Sequence, residues 1–381
     1  MMEQTEFVVS LLSLLKSGIS FAAYSLPGHT EVEYIVDDNT SPLSTSRKFI
    51  ISTWNGDKYA ILDRKCNGSI SDSCVDANSD TRRYGNRNEA NSSNITNSIN
   101  INGINGVGDV HKRENTPWEV YKSAIETVTN LLRSTDGKVV VSRQKVVEDS
   151  RLDYAVIAKA IEAAFAASPK AFRAVYFTPA TGAWCVCSPE LLLHINRKTG
   201  RLHTVALAGT RKADVDGNWD SKNVNEHSYV VRHIANVLKN NGIGPEISAS
   251  ETMAAGKIRH ILTRISGNIP DCEDESLTDR LLQALHPTPA ICGYPIDWSR
   301  GVIKQVEQHD RECYGGYIAV EDEESFYSHV NLRCFAFGEG KCCFWGGGGI
   351  MKDSTPESEW NETELKIDAT LAYLRHALSH K

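Results

Sequence analysis

Apolar positions along the chain follow two periods that alternate unevenly. The stretch WEVYKSAIETVTNLLRSTDG (118–137) repeats its apolar residues every three or four positions and stops at a glycine, which predicts a helix. The same period predicts helices at DYAVIAKAIEAAFAAS (153–168), EHSYVVRHIANVLKNN (226–241), DESLTDRLLQALH (274–286) and WNETELKIDATLAYLRHAL (360–378). The opening MMEQTEFVVSLLSLLKSGISFAAYSL predicts an amphipathic helix followed by a strand. β-Branched and aromatic runs predict strands at KVVVSRQKVV (138–147), FRAVYFTP (172–179), AWCVCSP (183–189), RLHTVALAGT (201–210), GYIAVED (316–322), SHVNLRCFAF (328–337) and KCCFWGGG (341–348). Their spacing is too irregular for a βαβ repeat and no internal repeat is visible, so the pattern predicts an α+β fold with large, mainly antiparallel sheets.

From about residue 65 to 115 the apolar pattern gives way to Asn, Ser, Asp and Gly, which predicts a flexible insertion. A run of glycines there (Gly103, Gly106, Gly108) lacks the flanking strand and helix of a dinucleotide loop. The 381 residues suffice for a large core, and 41% hydrophobic and 23% charged content with a net charge of −7 describe a globular chain without the basic excess of a nucleic-acid binder. Glu3 and Glu6 stand where a signal peptide is basic, and the apolar run is too short to span a bilayer. Ten cysteines form no CxxC pair, and Cys185, Cys187, Cys342 and Cys343 lie in apolar strands as small hydrophobes, so a reducing cytoplasm is expected. Asn-x-Ser/Thr triplets at Asn67, Asn91 and Asn94 are then accidents of composition.

Candidate chemistry is densest at GGGGIMKDSTPESEWNETELK (346–366). The GK[ST] ending of a phosphate loop is absent. On a helix Glu359, Glu362 and Lys366 share one face, a pair of carboxylates suited to a hard cation. Other polar residues stand in apolar surroundings: Lys138 at the head of KVVVSR, Glu190 in SPELLLHI, Glu226 opening a helix with EHSYVV, His286 among the prolines of HPTPAICGYP, and Arg333 inside a strand.

Together these segments resemble the chorismate-utilising enzymes, and most closely the isochorismate synthases: KVVVSR (138–143), SPELLL (188–193), ALAGTR (206–211), NEH (225–227), LHPTPAICGYP (285–295), DRECYGG (310–316), VNLRC (330–334), GGGGI (346–350) and EWNETELK (359–366). Order and spacing agree over roughly residues 115–378. The resemblance implies a single large chorismate-binding domain, with two packed, mainly antiparallel sheets flanked by helices around a deep site for chorismate and one Mg²⁺. Residues 1–64 would be the variable N-terminal part, 65–115 the insertion and 116–381 the catalytic core.

By the same resemblance Lys138 takes a proton from water and Glu190 gives one to the departing C4 hydroxyl. Glu226, Glu359 and Glu362 hold Mg²⁺. Arg333 and Tyr314 receive the enolpyruvyl carboxylate, Thr210 and His286 line the ring pocket, and Leu207, Ala208 and Gly209 shape it. Gly347 lets the backbone approach a substrate carboxylate, and Lys366 either pairs with the metal-site carboxylates or reaches the substrate. Asn223 stands at a position often acidic in relatives.

Salicylate synthase is the nearest alternative, disfavoured by HPTPAICG. The anthranilate type is disfavoured by Lys138, and the aminodeoxychorismate type by ALAGT in place of its lysine-bearing form. A catalytically dead homologue would lack one of the acid, base or metal residues, and none is missing. The expected enzyme is a cytoplasmic monomer without a glutaminase subunit, a membrane or a nucleic-acid partner. Isochorismate could feed either menaquinone or a siderophore, and a chain of moderate length without a fused domain points to menaquinone biosynthesis.

Overall fold

The computed structural model describes residues 2–64, 109–255, 258–270, 274 and 276–379. Helix α1 (Met2–Ser17) precedes strands β1 (Ser20–Ser25), β2 (Glu33–Asp37), β3 (Leu43–Ser52) and β4 (Lys58–Arg64). Next come α2 (Trp118–Leu132), β5 (Lys138–Glu148), α3 (Tyr154–Ala167), β6 (Phe172–Thr178), β7 (Gly182–Ser188), β8 (Leu191–Asn196) and β9 (Arg201–Lys212). They are followed by α4 (Ser221–Asn240), β10 (Glu246–Ile247), β11 (Glu251–Ala255), β12 (Ile258–Asn268), α5 (Ser276–Leu285), β13 (Gly293–Tyr294) and α6 (Ile296–Val306). The chain ends with β14 (Tyr317–Glu321), β15 (Ser325–Val330), β16 (Cys334–Gly338), β17 (Lys341–Ile350) and α7 (Pro356–Ser379).

The strands form two sheets. One has the order β13-β5-β17-β16-β7-β6-β1-β2, the other β10-β12-β9-β8-β15-β14-β3-β4 with β11 added beside β12. Apolar side chains from the two sheets meet in the middle, where Phe49 and Ile318 pack near Tyr176 and Trp184. On the outer face of the first sheet, Leu11 of α1, Ile157 of α3 and Leu371 of α7 cover Val175, Phe335 and Phe344. Val230 and Ile234 of α4 and Leu281 of α5 join the cluster of Leu193, Leu202 and Ile265 on the second. Each such side chain taken from water contributes roughly 1.5–3 kcal/mol, so the amphipathic stripes of the helices hold them to the sheets. The result is the expected single α+β domain, and no described helix is long and apolar enough to cross a membrane.

Three expectations need correction. SHVNLRCFAF is two strands: β15 belongs to the second sheet and β16 to the first, with Asn331–Arg333 turning between them. Arg333 is therefore at a corner rather than inside a strand, with φ of 51°. Glu226 does not open its helix; α4 starts at Ser221, capped by the Asp220 carboxylate accepting from the Asn223 N–H. Within the predicted insertion, residues 65–108 lie outside the described residues, but 109–115 are packed structure. Val110 is buried, and the guanidinium of Arg113 makes two bonds to the Glu312 carboxylate, at 2.7 and 2.5 Å. The first 64 residues supply strands to both sheets, β1 pairing with β6 and β3 with β14.

Candidate active site

The site is built where the chain passes from one sheet to the other. Pro189 and Glu190 connect β7 to β8, and Asn331–Arg333 connect β15 back to β16. The two corners are stitched together: the Ser188 hydroxyl donates to Val330 O (2.6 Å), Val330 N–H to Glu190 O (3.0 Å) and Cys187 N–H to Arg333 O (3.2 Å). A carboxylic acid and a guanidinium are thereby brought to one cavity. Its walls include Glu190, Thr210, Glu226, Tyr314, Arg333, Gly347 and Lys366. The positive φ of Arg333 is unfavourable for a residue with a Cβ, by roughly 1 kcal/mol or more, and the surrounding ladder holds it there.

β17 carries the four glycines as a buried strand paired with β5, Gly346 opposite Arg143 through Gly349 opposite Val140. Glycine weakens a strand interior, so its presence marks close approach. A Cβ at Gly347 would lie 2.7 Å from the Tyr314 hydroxyl, one at Gly348 2.9 Å from Glu359 Oε2, and one at Gly349 2.1 Å from Glu226 Oε1. Each of these three glycines makes room for a different polar side chain. Helix α7 is docked beside this strand by Arg143, whose Nε donates to Thr363 Oγ1 (2.7 Å) while its guanidinium stacks 3.9 Å from the Trp360 ring centroid.

The three carboxylates expected to hold a metal are each paired with a lysine. Lys138 Nζ donates to Glu226 Oε1 (2.9 Å), Lys222 to Glu359 Oε1 (2.7 Å) and Lys366 to Glu362 Oε1 (2.8 Å). Glu359 Oε2 is buried without a hydrogen-bond partner, and burial together with the nearby Glu362 charge pushes the Glu359 carboxyl up. Burial works against the Lys222 ammonium, yet Glu359, Glu362 and Glu226 together hold its pKa above the ordinary lysine value. All three carboxylates therefore share one neighbourhood of positive charge. Among the described residues no ready-made cluster of three His, Cys, Asp or Glu ligands is formed. Hard oxygens and an orphaned buried carboxylate oxygen nonetheless fit a hard divalent cation.

Glu190 is 2% exposed, and burial pushes its pKa up to about 8 despite the opposing charges of Lys138 and Lys366. Near neutral pH it holds a proton it can give. Lys138, 0% exposed, lies behind Glu226 rather than on the cavity wall. Glu359 and Glu362 also lie behind the wall, on α7. Lys366 pairs with Glu362, and its ammonium also donates to Gly347 O at 2.7 Å on the wall.

His286 is placed beside Tyr317. Its Nε2 lies 2.8 Å from Gly315 O and its ring meets Tyr317 edge-on, so it braces the turn after Tyr314 and does not line the cavity. From the same loop it is Thr288 that reaches the site, its hydroxyl 3.4 Å from Glu190 Oε1.

His260, not anticipated, completes the wall. Opposite β12, Thr210 pairs with His260 and Ala208 with Ile261, leaving Gly209 as a bulge at φ of 72°. His260 sits against this bulge with its Nδ1 3.0 Å from Gly209 O, and its Nε2 is 3.0 Å from the Arg333 guanidinium. Asn223 accepts from Thr210 N–H (2.9 Å) and donates to Asp220 Oδ2 (2.7 Å). An amide can do both, whereas an acid there would confront the Asp220 carboxylate. The alternation in IRHILTRIS was the signal for β12 and its histidine, and the i,i+4 spacing of Lys222 and Glu226 was the signal for Lys222.

Comparison with known proteins bears on the family and the fold. The sequence model for the family described as chorismate binding enzyme matches residues 61–375. Isochorismate synthase EntC of Escherichia coli is 29% identical over 248 residues, 61% of each chain. The salicylate biosynthesis isochorismate synthase of Pseudomonas aeruginosa is 30% identical over 299 residues, 71% of this chain and 56% of that one. The matched region thus spans about three fifths of these relatives or less. Among solved structures, the menaquinone-specific isochorismate synthase MenF of Escherichia coli superposes with a TM-score of 0.71 at 20% identity, covering 97% of this chain and 91% of that one. Anthranilate synthase component I of Streptococcus pneumoniae gives 0.61 at 14%, covering 92% and 89%. These likenesses establish the shared fold, and the family match extends through every segment of the site from Lys138 to Lys366: the chain belongs to the chorismate-binding enzymes.

Proposed function

We propose that the protein interconverts chorismate and isochorismate, adding water at C2 of the ring while the C4 hydroxyl departs and the double bond shifts. The observation that carries this reading is Glu190, a buried carboxyl with its pKa raised to about 8 on the wall of a cavity that also presents Arg333. A hydroxyl leaves as water only if it receives a proton, and a carboxyl kept neutral near pH 7 supplies one.

The second proton is taken from the attacking water. Lys138 is the candidate acceptor. While protonated, its ammonium has no lone pair to offer, so it must first give up a proton; the neutral amine can then keep donating to Glu226 while its lone pair accepts one from water. The balance then closes, with Lys138 gaining one proton, Glu190 losing one, and a hydroxyl exchanged from C4 to C2. Arg333, bonded to a neutral His260, presents its remaining N–H donors to a substrate carboxylate, which a planar guanidinium binds in a bidentate manner. Tyr314 and the bare backbone at Gly347 border the same space.

Glu226, Glu359 and Glu362 are the residues that would hold Mg²⁺, which when bound offsets the charge of a substrate carboxylate and makes the ring easier to attack. Relatives named for salicylate biosynthesis and for vibriobactin lie at 30% and 28% identity, so the proposal is for the reaction they share.

Purified protein incubated with chorismate and Mg²⁺ tests the reading. The expected result is a mixture of chorismate and isochorismate, reached equally from either side, without pyruvate in a lactate dehydrogenase-coupled assay. Stoichiometric pyruvate and salicylate would make it a salicylate synthase, and unaltered chorismate would refute the activity.

A further inference from the structure

We infer that Lys222 is the exchangeable counter-cation of the carboxylate cluster, a positioning residue that holds Glu359 in the metal-free protein and releases it when a divalent cation enters. The inference rests on the metal site proposed above.

Three lysines pair with the three carboxylates, but they are not equivalent. Lys138 is 0% exposed, so leaving Glu226 would strand a buried ammonium. Lys366 is 18% exposed and has a second attachment, its bond to Gly347 O in β17. Lys222 is 34% exposed, and among the described residues its ammonium bonds to Glu359 Oε1 alone. It is the second residue of α4, at the end where the helix dipole disfavours a cation, so its own helix does not retain it. Its flexible stem can carry the ammonium outward into water.

Glu359 is in the opposite position. Its side chain is 1% exposed, one oxygen has no hydrogen-bond partner, and the Glu362 carboxylate is close enough to raise its pKa. A buried carboxylate in that setting requires positive charge. Lys222 supplies it, and lies within the field of Glu362 and Glu226 as well. A divalent cation among the same carboxylates would repel the ammonium and replace its only bond. Exchange of Lys222 for metal keeps Glu359 compensated in both states.

The test compares substrate-free wild-type protein with Lys222→Gln and Lys222→Arg. Mg²⁺ affinity is measured calorimetrically, Mn²⁺ affinity by electron paramagnetic resonance, and Tm both in chelator and in saturating Mg²⁺. Lys222→Gln should bind metal about fivefold to tenfold more tightly, because the competing ammonium is gone. It should lose Tm in chelator and regain wild-type Tm in Mg²⁺, while Lys222→Arg should resemble wild type in all three. An equal Tm loss with and without Mg²⁺, or unchanged or weaker metal binding by Lys222→Gln, overturns the inference. If the wild type binds neither metal, the metal-site reading fails first and this inference with it.

Discussion

The guanidinium of Arg333 donates to Nε2 of His260 across 3.0 Å, and this bond fixes the state of the imidazole. A guanidinium has no acceptor, so Nε2 must be bare and the ring proton must sit on Nδ1, where it donates to Gly209 O at 3.0 Å. Burial, reinforced by the Arg333 charge, pushes the His260 pKa down to about 3, so the ring stays neutral through the working pH range. His260 thus ties the strained corner at Arg333 to the bulge at Gly209.

Removing that tie should affect binding more than chemistry. His260→Ala leaves Arg333 free to turn, and the loss of one buried hydrogen bond to a charged group predicts a KM for chorismate raised about tenfold. The turnover number should change less, and no pH limb near 6.5 should appear or vanish. A fall confined to kcat with KM unaltered would show that Arg333 is aimed by something else.

Glu190 predicts the pH profile. As a proton donor with a pKa of about 8, it requires kcat to fall as pH rises through that value. Glu190→Gln should bind chorismate, lose about 10²–10⁴ in kcat and lose that alkaline limb. Stability has a definite sign too. The folded pKa is raised, so the folded state keeps the proton after the unfolded chain has released it. The contribution is complete below the unfolded value and is lost as pH rises from roughly 4 to about 8. The Tm of Glu190→Gln relative to wild type should therefore climb across that window and level off above it. A flat difference would mean Glu190 ionises normally.

Much of this candidate site was legible because its charged residues stand in apolar surroundings that make them conspicuous. Lys138, Glu190 and Glu226 each stand out in a run of Val, Leu or a helix stripe, and Glu359, Glu362 and Lys366 share a helical face. What local pattern could not register is which sheet a strand joins. Asn331 and Leu332 continue the apolar rhythm of SHVNLRCFAF, yet Val330 pairs with Tyr317 in one sheet and Cys334 with Val186 in the other. That corner positions Arg333, and it depends on contacts far apart in sequence. His286 is conspicuous for the prolines that follow it, and its hydrogen bond to a backbone carbonyl is another contact that sequence pattern does not register. The lysine partners of the carboxylates likewise arise mostly from separate elements, and only Glu362 and Lys366 lie on one helix.

The glycine strand supplies a steric test that leaves every charged group in the chain. An added Cβ at Gly349 would stand 2.1 Å from Glu226 Oε1, a distance no relaxed side chain tolerates, so Glu226 must move and its 2.9 Å bond to Lys138 must lengthen or break. The backbone itself is not strained by alanine there, since Gly349 is outside the positive-φ residues and its ladder to Val140 is unaffected by a methyl group. Gly349→Ala should therefore remain folded while losing roughly 100-fold or more in turnover, about 3 kcal/mol of transition-state stabilisation. Gly301→Ala is the matching control. Gly301 lies on the exposed side of α6 with no atom within 4 Å of its missing Cβ, so alanine should add roughly 0.5–1 kcal/mol of stability and leave turnover unchanged. Circular dichroism and thermal melts would establish folding for both variants before their rates are compared. Near-wild-type turnover by a folded Gly349→Ala protein would show that the position of Glu226 does not govern the reaction, and the roles assigned to Glu226 and Lys138 would fall together.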